Sequence, residues 1–162
     1  MLSQLEHLSR STDGRYATDA DLQFIADYVL SYELRLRTYT KLREREATIV
    51  QDVKGRIDTL HPQLFIRGNE DFTSKWQQDT IRVIRYTAIA MLLNDREALQ
   101  EKFLFWFQTI MKAFKVQESC NITYQVMQEV VKKHFTPSEA SLLCPILELN
   151  RNLLGQTPKI RS

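Results

Sequence analysis

Apolar positions along this chain recur every three to four residues almost throughout, the spacing that places them on one side of a helix. Leu2, Leu5 and Leu8 predict a short amphipathic first helix, and Ser11-Thr12-Asp13-Gly14 ends it with turn formers. Thr18 or Asp19 can cap a second helix, with Leu22, Ile25, Val29, Tyr32 and Leu36 on one stripe. Ile49, Val50, Val53, Ile57 and Leu60 predict a following helix that stops at His61-Pro62. Gly68-Asn69 marks a loop, and Phe72 to Leu93 reads as a helix running to the polar break Asn94-Asp95. Leu99, Phe103, Trp106, Phe107, Ile110, Met111 and Phe114 predict a deeply buried face, continued by Ile122, Val126, Val130 and Val131.

The last helix is announced most clearly. Thr136-Pro137-Ser138-Glu139 combines a capping box with proline at the first helical position. Pro145 removes an amide donor two turns in and should kink that helix. Gly155 is the natural stop. Seven or eight helices of unequal length, without heptads, point to an all-α, globin-like packing rather than an up-down bundle. The chain reads as a single domain over residues 1–155 with a frayed tail over 156–162.

Composition narrows the function classes. At 162 residues a single domain buries roughly 70% of the surface of its unfolded chain, enough for a real core. A formal net charge of +2 gives no electrostatic reason to expect nucleic acid. The basic run Arg35, Arg37, Lys41, Arg43 and Arg45 is balanced by Glu33, Glu44 and Glu46 and reads as a solvated helix face. Cys120 and Cys144 form no CxxC pattern, which fits a reducing compartment and two small buried hydrophobes. The first residues do not resemble a signal peptide, and the apolar run Ala88–Leu93 is too short to cross a bilayer. There is no Gly-rich phosphate loop, no His-x-x-His and no Gly-x-Ser-x-Gly, so neither a metal site nor an enzyme is expected. Glu44 with Glu46 and Glu97 with Glu101 read as solvated helix residues.

Several segments are similar to the phycobiliproteins, the globin-like antenna subunits. Gly68-Asn69, Phe72-Thr73-Ser74-Lys75 and Arg85-Tyr86-Thr87-Ala88-Ile89-Ala90-Met91-Leu92 stand where that family has its Gly-Asn loop, Tyr-Thr-Thr-Arg and Arg-Tyr-Ala-x-Ala-Met-Leu. Gly14-Arg15-Tyr16, Glu33–Arg37, Ala47–Val50 and Ile122–Val126 extend the resemblance over about residues 1–155. It is allophycocyanin-like and implies a globin-like body preceded by a projecting N-terminal helical pair. One departure is chemical: the bilin-attaching Cys is missing. The stretch between Phe72 and Arg85 is about four residues shorter than in the family, one helical turn. Depending on where that gap falls, Trp76 takes the Cys position with Asp79 at the bilin-contacting Asp, or Thr80 replaces the Cys with Val83 at the Asp. Neither register supplies a thiol, and Cys120 and Cys144 are expected away from this pocket.

Trp76 then has two readings. Its indole can fill the space of a tetrapyrrole, or stack on one held non-covalently with Asp79 on the ring nitrogens. The missing helix turn favours the first. Haem would need a proximal ligand facing the pocket, yet His7, His61 and His134 all fall outside the aromatic helix Leu99–Phe114. The resemblance implies no covalent cofactor, with a non-covalent bilin as the alternative. It also implies partners: phycobilisome subunits or linker proteins, and a homo- or heterodimer through the N-terminal helices. Leu2, Leu5, Leu8, Asp13, Arg85 and Tyr86 are the interface candidates, Asp13 meeting the Arg-Tyr pair of a partner. A local staple of the first helix onto its own domain is the competing reading. The implied location is cytoplasmic, peripheral at the cytoplasmic side of the thylakoid membrane.

Overall fold

The computed structural model describes residues 1–156. The expected frayed tail therefore lies outside the described residues except for Gln156. The order is α1 (Leu2–Ser11), α2 (Asp19–Leu60), a two-residue-strand hairpin of β1 (Ile66–Arg67) and β2 (Glu70–Asp71), then α3 (Thr73–Leu92). There follow α4 (Arg96–Leu99), a π turn over Gln100–Leu104, α5 (Phe105–Ala113), α6 (Gln117–His134) and α7 (Pro137–Leu154). This is the all-α, globin-like architecture: α6 packs on α7, and α2 lies across α3 and α6. Val53, Ile57, Val83, Met91, Leu104, Met127 and Leu143 fill the centre.

The helices expected over 19–36 and 49–60 are one. α2 runs 42 residues without interruption, about 63 Å at the standard rise. Nothing between Arg37 and Thr48 can stop it, since that stretch has neither proline nor glycine. Thr18 caps its start with a capping box to Asp21, whose side chain accepts from the Thr18 amide at 2.9 Å. Burial along α2 begins only at Arg35. The first half of α2 and all of α1, which has no buried residue, form an arm ahead of the globin-like body. The stripe expected on that half is therefore largely solvent-facing: Leu22, Val29, Tyr32 and Leu36 are exposed.

Arg35 also departs from the solvated face predicted for it. It is buried, and its Nη1 donates to the Met91 carbonyl at 2.6 Å while Nε donates to Ser31. Burial lowers its pKa. α3 ends with Asn94 at φ 49, Asp95 N–H bonding the Ala90 carbonyl and Asn94 N–H the Met91 carbonyl. That is a Schellman ending with Asn in the left-handed position. Its outward carbonyls are taken by the arm. Tyr28 Oη–H donates to Leu92 O at 3.1 Å, and the terminal ammonium of Met1 to Asn94 O at 2.9 Å.

Asp95 completes the mooring of α1. Its carboxylate accepts from the Ser3 amide at 2.9 Å, the Ser3 hydroxyl at 2.8 Å and the Ala98 amide at 3.1 Å, so it also caps α4. Beside it His7 meets Glu97 at 3.0 Å.

Residues 96–113 form one helical rod in which the π turn takes up an extra residue, the Phe105 amide bonding the Gln100 carbonyl. Leu99, Phe103, Phe107 and Met111 are buried as expected, Leu104 joins them, and Trp106 and Phe114 are exposed. The wider turn rotates the downstream stripe, so seven apolar positions do not share one buried face.

At α7 the capping box is present, with Glu139 N–H bonding Thr136 Oγ1 at 3.3 Å and Thr136 N–H bonding Glu139 Oε2 at 2.9 Å. Glu139 is buried and also accepts from Lys41 on α2 at 2.8 Å. The helix continues past Pro145, whose ring is on the exposed side. Gly155 ends it at φ −93, so its value is space rather than handedness. A Cβ there would lie 2.7 Å from Arg151 O and 2.8 Å from Asn121 Cα.

The mooring has a pH signature. Burial alone would raise the Asp95 carboxyl; the Ser3 and Ala98 amides, the Ser3 hydroxyl and the terminal ammonium outweigh it and hold the pKa at about 2. A depressed folded-state pKa contributes stability that is fully present above the unfolded value of 3.8 and lost as pH falls toward 2. Acid titration should therefore release α1 between those values. Hydrogen exchange at residues 2–8 reports it, and Asp95→Asn should abolish the transition.

Candidate functional site

One face of α3 presents Trp76, Asp79 and Thr80, at the i, i+3, i+4 spacing that puts side chains side by side. All three line a cavity of about 400 Å³. Phe65 and Phe72 wall it on the hairpin side, Phe107 and Met111 come from α5, and Cys120, Thr123 and Tyr124 come from α6. The three positions singled out from sequence thus meet in one site.

Trp76 helps build the wall without closing the space. Its ring sits 4.8 Å from that of Phe65, and its Nε1–H donates to Thr123 Oγ1 at 2.9 Å, tying α3 to α6. A half-buried indole needs such an acceptor. Asp79 is paired along the helix with Lys75 at 2.6 Å. Thr80 is buried beneath them.

Cys120 was expected away from this pocket, and the structure corrects that: it lines the cavity. α6 lies opposite α3, so residues 40 or more apart in sequence share one wall, as the Trp76–Thr123 bond records. Burial, with the negative charge of Asp79 adding to it, pushes the Cys120 thiol up to about 12. A thiol held neutral in this way is a weak nucleophile. Cys144 is half-buried on α7 and is not among the cavity residues.

Tyr124 was not anticipated. It is 3% exposed and lines the cavity. Burial, then Cys120 and Asp79, raise its pKa well above the ordinary phenol value. Among the described residues its hydroxyl has no hydrogen-bond partner, leaving a neutral donor in a mostly apolar space. No spacing rule marks Tyr124, because its place depends on α6 facing α3 across the cavity. None of the three histidines lines the cavity; His134 is bonded to Asp52 at 2.6 Å.

The interface candidates fall elsewhere. Leu2 and Leu5 are exposed on α1 and Leu8 is half-buried, while Asp13 is exposed in the following turn. Arg85 and Tyr86 sit on the outer side of α3. Arg85 is gripped by Glu46 of α2 through two bonds, of 2.9 and 2.8 Å. Tyr86 stacks on Phe103 with centroids 3.9 Å apart and planes 10° from parallel, and keeps an exposed edge. Glu46, read as a solvated residue, is thus the partner that orders Arg85.

A globin-like helical body, an N-terminal arm and a cavity between α3 and α6 define a protein of the phycobiliprotein class. Residues 9–154 match the family described as phycobilisome protein, and the chain belongs to that family. It is 28% identical to the allophycocyanin alpha-B chain of Pyropia yezoensis over 90 residues, 53% of this chain and 56% of that one. The corresponding chain of Porphyra purpurea is 27% identical over the same length, again 56% of its own residues, so the match spans little over half of these two relatives. The allophycocyanin beta chain of Mastigocladus laminosus is 27% identical over 127 residues, 75% of this chain and 78% of that one.

Thr123→Val keeps the shape of the wall but strands the Trp76 N–H. It should cost about 1–3 kcal/mol in urea denaturation, whereas Trp76→Phe with Thr123→Val together should recover part of that loss.

Proposed function

We propose that this chain is a phycobilisome-associated subunit that carries no covalent bilin on α3 and works by binding other proteins, as a structural, assembly or regulatory component. The observation that carries this reading is the arm. α1 buries none of its residues, and α2 buries none before Arg35, while Leu2, Leu5, Leu22, Val29, Leu30 and Leu36 are exposed along it. An apolar surface of that extent on a moored helical pair is the kind that partners cover. The ordered Arg85–Glu46 pair and the exposed edge of Tyr86 supply a matching polar contact for an acidic residue such as Asp13 of a partner subunit. The bonds from Ser3 and Met1 to the 94–95 turn support the competing local staple only for the base of α1; the apolar side remains open.

Partners of this chemistry are a second copy, another phycobilisome subunit or a linker protein, met at the cytoplasmic side of the thylakoid membrane. Among the described residues no helix is long and apolar enough to cross a membrane. No catalytic step is assigned to the chain.

A second reading, reversible binding of a tetrapyrrole as sensor or carrier, is favoured by one observation. The cavity of about 400 Å³ persists beside Trp76, within the size range of ligand sites. Thiol attachment on α3 is unavailable in either register, so such a ligand would be held by Asp79, Tyr124 and the aromatic walls.

Leu5→Glu combined with Leu30→Glu should turn an associated species into a monomer in sedimentation, with helicity unchanged; an unaltered mass would refute the arm as an interface. Purification with and without co-expressed bilin synthesis separates the second reading. A reversible binder gains visible absorbance that is lost on denaturation, and a protein colourless in both conditions removes that reading.

A further inference from the structure

The Ile66–Asp71 hairpin is the least supported part of the cavity wall. Its strands have two residues each, all four exposed, and two-stranded hairpins are marginal on their own. Its two ends are fixed. Phe65 is buried against Trp76, and the Asp71 side chain accepts from the Thr73 amide at 2.8 Å where α3 begins. Gly68, at φ +58 in the first central position of the turn, lets the chain reverse between them.

A single side chain spans from this hairpin to the opposite wall. Arg67 Nη1 donates to Phe114 O at 2.7 Å and Nη2 to Lys115 O at 2.6 Å. Those carbonyls lie just past α5, which ends in a Schellman turn with Lys115 at φ 55, Val116 N–H bonding Met111 O and Lys115 N–H bonding Lys112 O. A helix end leaves carbonyls without amide partners, and its dipole favours a cation. Among the described residues Arg67 has no carboxylate partner, so these two bonds, with the nearby Phe72 ring at 5.8 Å, are what hold it. Arg67, Phe72, Phe114 and Val116 all belong to the cavity lining, so the contact closes part of its rim.

We propose that the hairpin is a strap drawn across the rim of the cavity by Arg67, and that release of Arg67 opens the way to the interior. As regulation of ligand entry this rests on the cavity being a binding site; as a motion of the fold it does not. Fixed ends, a glycine turn and one two-bond latch confine the movement to the hairpin. The acceptors of the latch are neutral carbonyl oxygens, so Arg67 can exchange them for water or an anion without stranding a buried charge.

Cys120 lies inside the cavity and reports opening without any ligand. In a Cys144→Ser background, Arg67→Ala should raise the rate of Cys120 alkylation by iodoacetamide about tenfold or more, with the urea midpoint nearly unchanged. Arg67→Lys, which retains one cationic contact, should fall between. Equal rates in the parent and Arg67→Ala overturn the strap, as does an acceleration matched by an equal rise in global unfolding. Nile red binding to the unaltered chain tests the cavity separately. Absent binding with accelerated alkylation removes the ligand reading and keeps the strap; binding with unchanged alkylation removes the strap alone.

Discussion

The carbonyl end of α3 is the fixed point from which the rest of the molecule is hung. Met91 O, Leu92 O and Asn94 O accept respectively from Arg35, Tyr28 and the Met1 ammonium, three donors spread along the arm. The helix end supplies an amide of its own only to Met91 O, from Asn94, and its partial negative charge suits two of the three donors, which are cations. The bonds determine how the arm leaves the body. Without them the first half of a 42-residue helix, about twice the span of a small domain, would lose its hydrogen-bonded ties to the end of α3.

That geometry divides the molecule by chemistry. The body buries most of its apolar residues, with Phe105, Trp106 and Phe114 left exposed, and satisfies most of its buried polar groups, as in the Asn150–Thr87 bond of 2.8 Å and the Glu139–Lys41 pair. The arm does the reverse and leaves Leu2, Leu5, Leu22, Val29 and Leu30 outward. A fold stable by virtue of its body can carry such a surface, because the arm contributes little to the core. The family to which the chain belongs makes a phycobilisome-related role the natural context.

Local signals were legible wherever the physics is local. The cap at Thr18, the capping box at Thr136, the turn at Gly68-Asn69 and the break at Asn94-Asp95 follow from residues within one turn of each other. The lack of any cysteine between Thr73 and Leu92 was equally plain. What escaped was set by packing between distant segments. Arg35 reads as one member of a charged run until α3 is laid against it. Cys120 and Tyr124 look like ordinary positions of an amphipathic helix until α6 is set across the cavity from α3. Trp106 and Phe114 fit a uniform stripe until the π turn changes the phase of the helix beneath them. Continuity of α2 was the exception, since the lack of proline and glycine between Arg37 and Thr48 was visible and simply allowed the helix to persist.

The π turn carries its own consequence for how this rod can change length. An i to i+5 bond accommodates one more residue than the ordinary repeat while leaving the segments on either side pointing as they would have done. Excision of a single amino acid between Gln100 and Leu104 would let the rod relax to regular α geometry with Leu99 and Phe107 still directed inward. The same excision two turns later would swing Met111 off its neighbours. Length variation along this rod is thus cheap at one place and costly at the next.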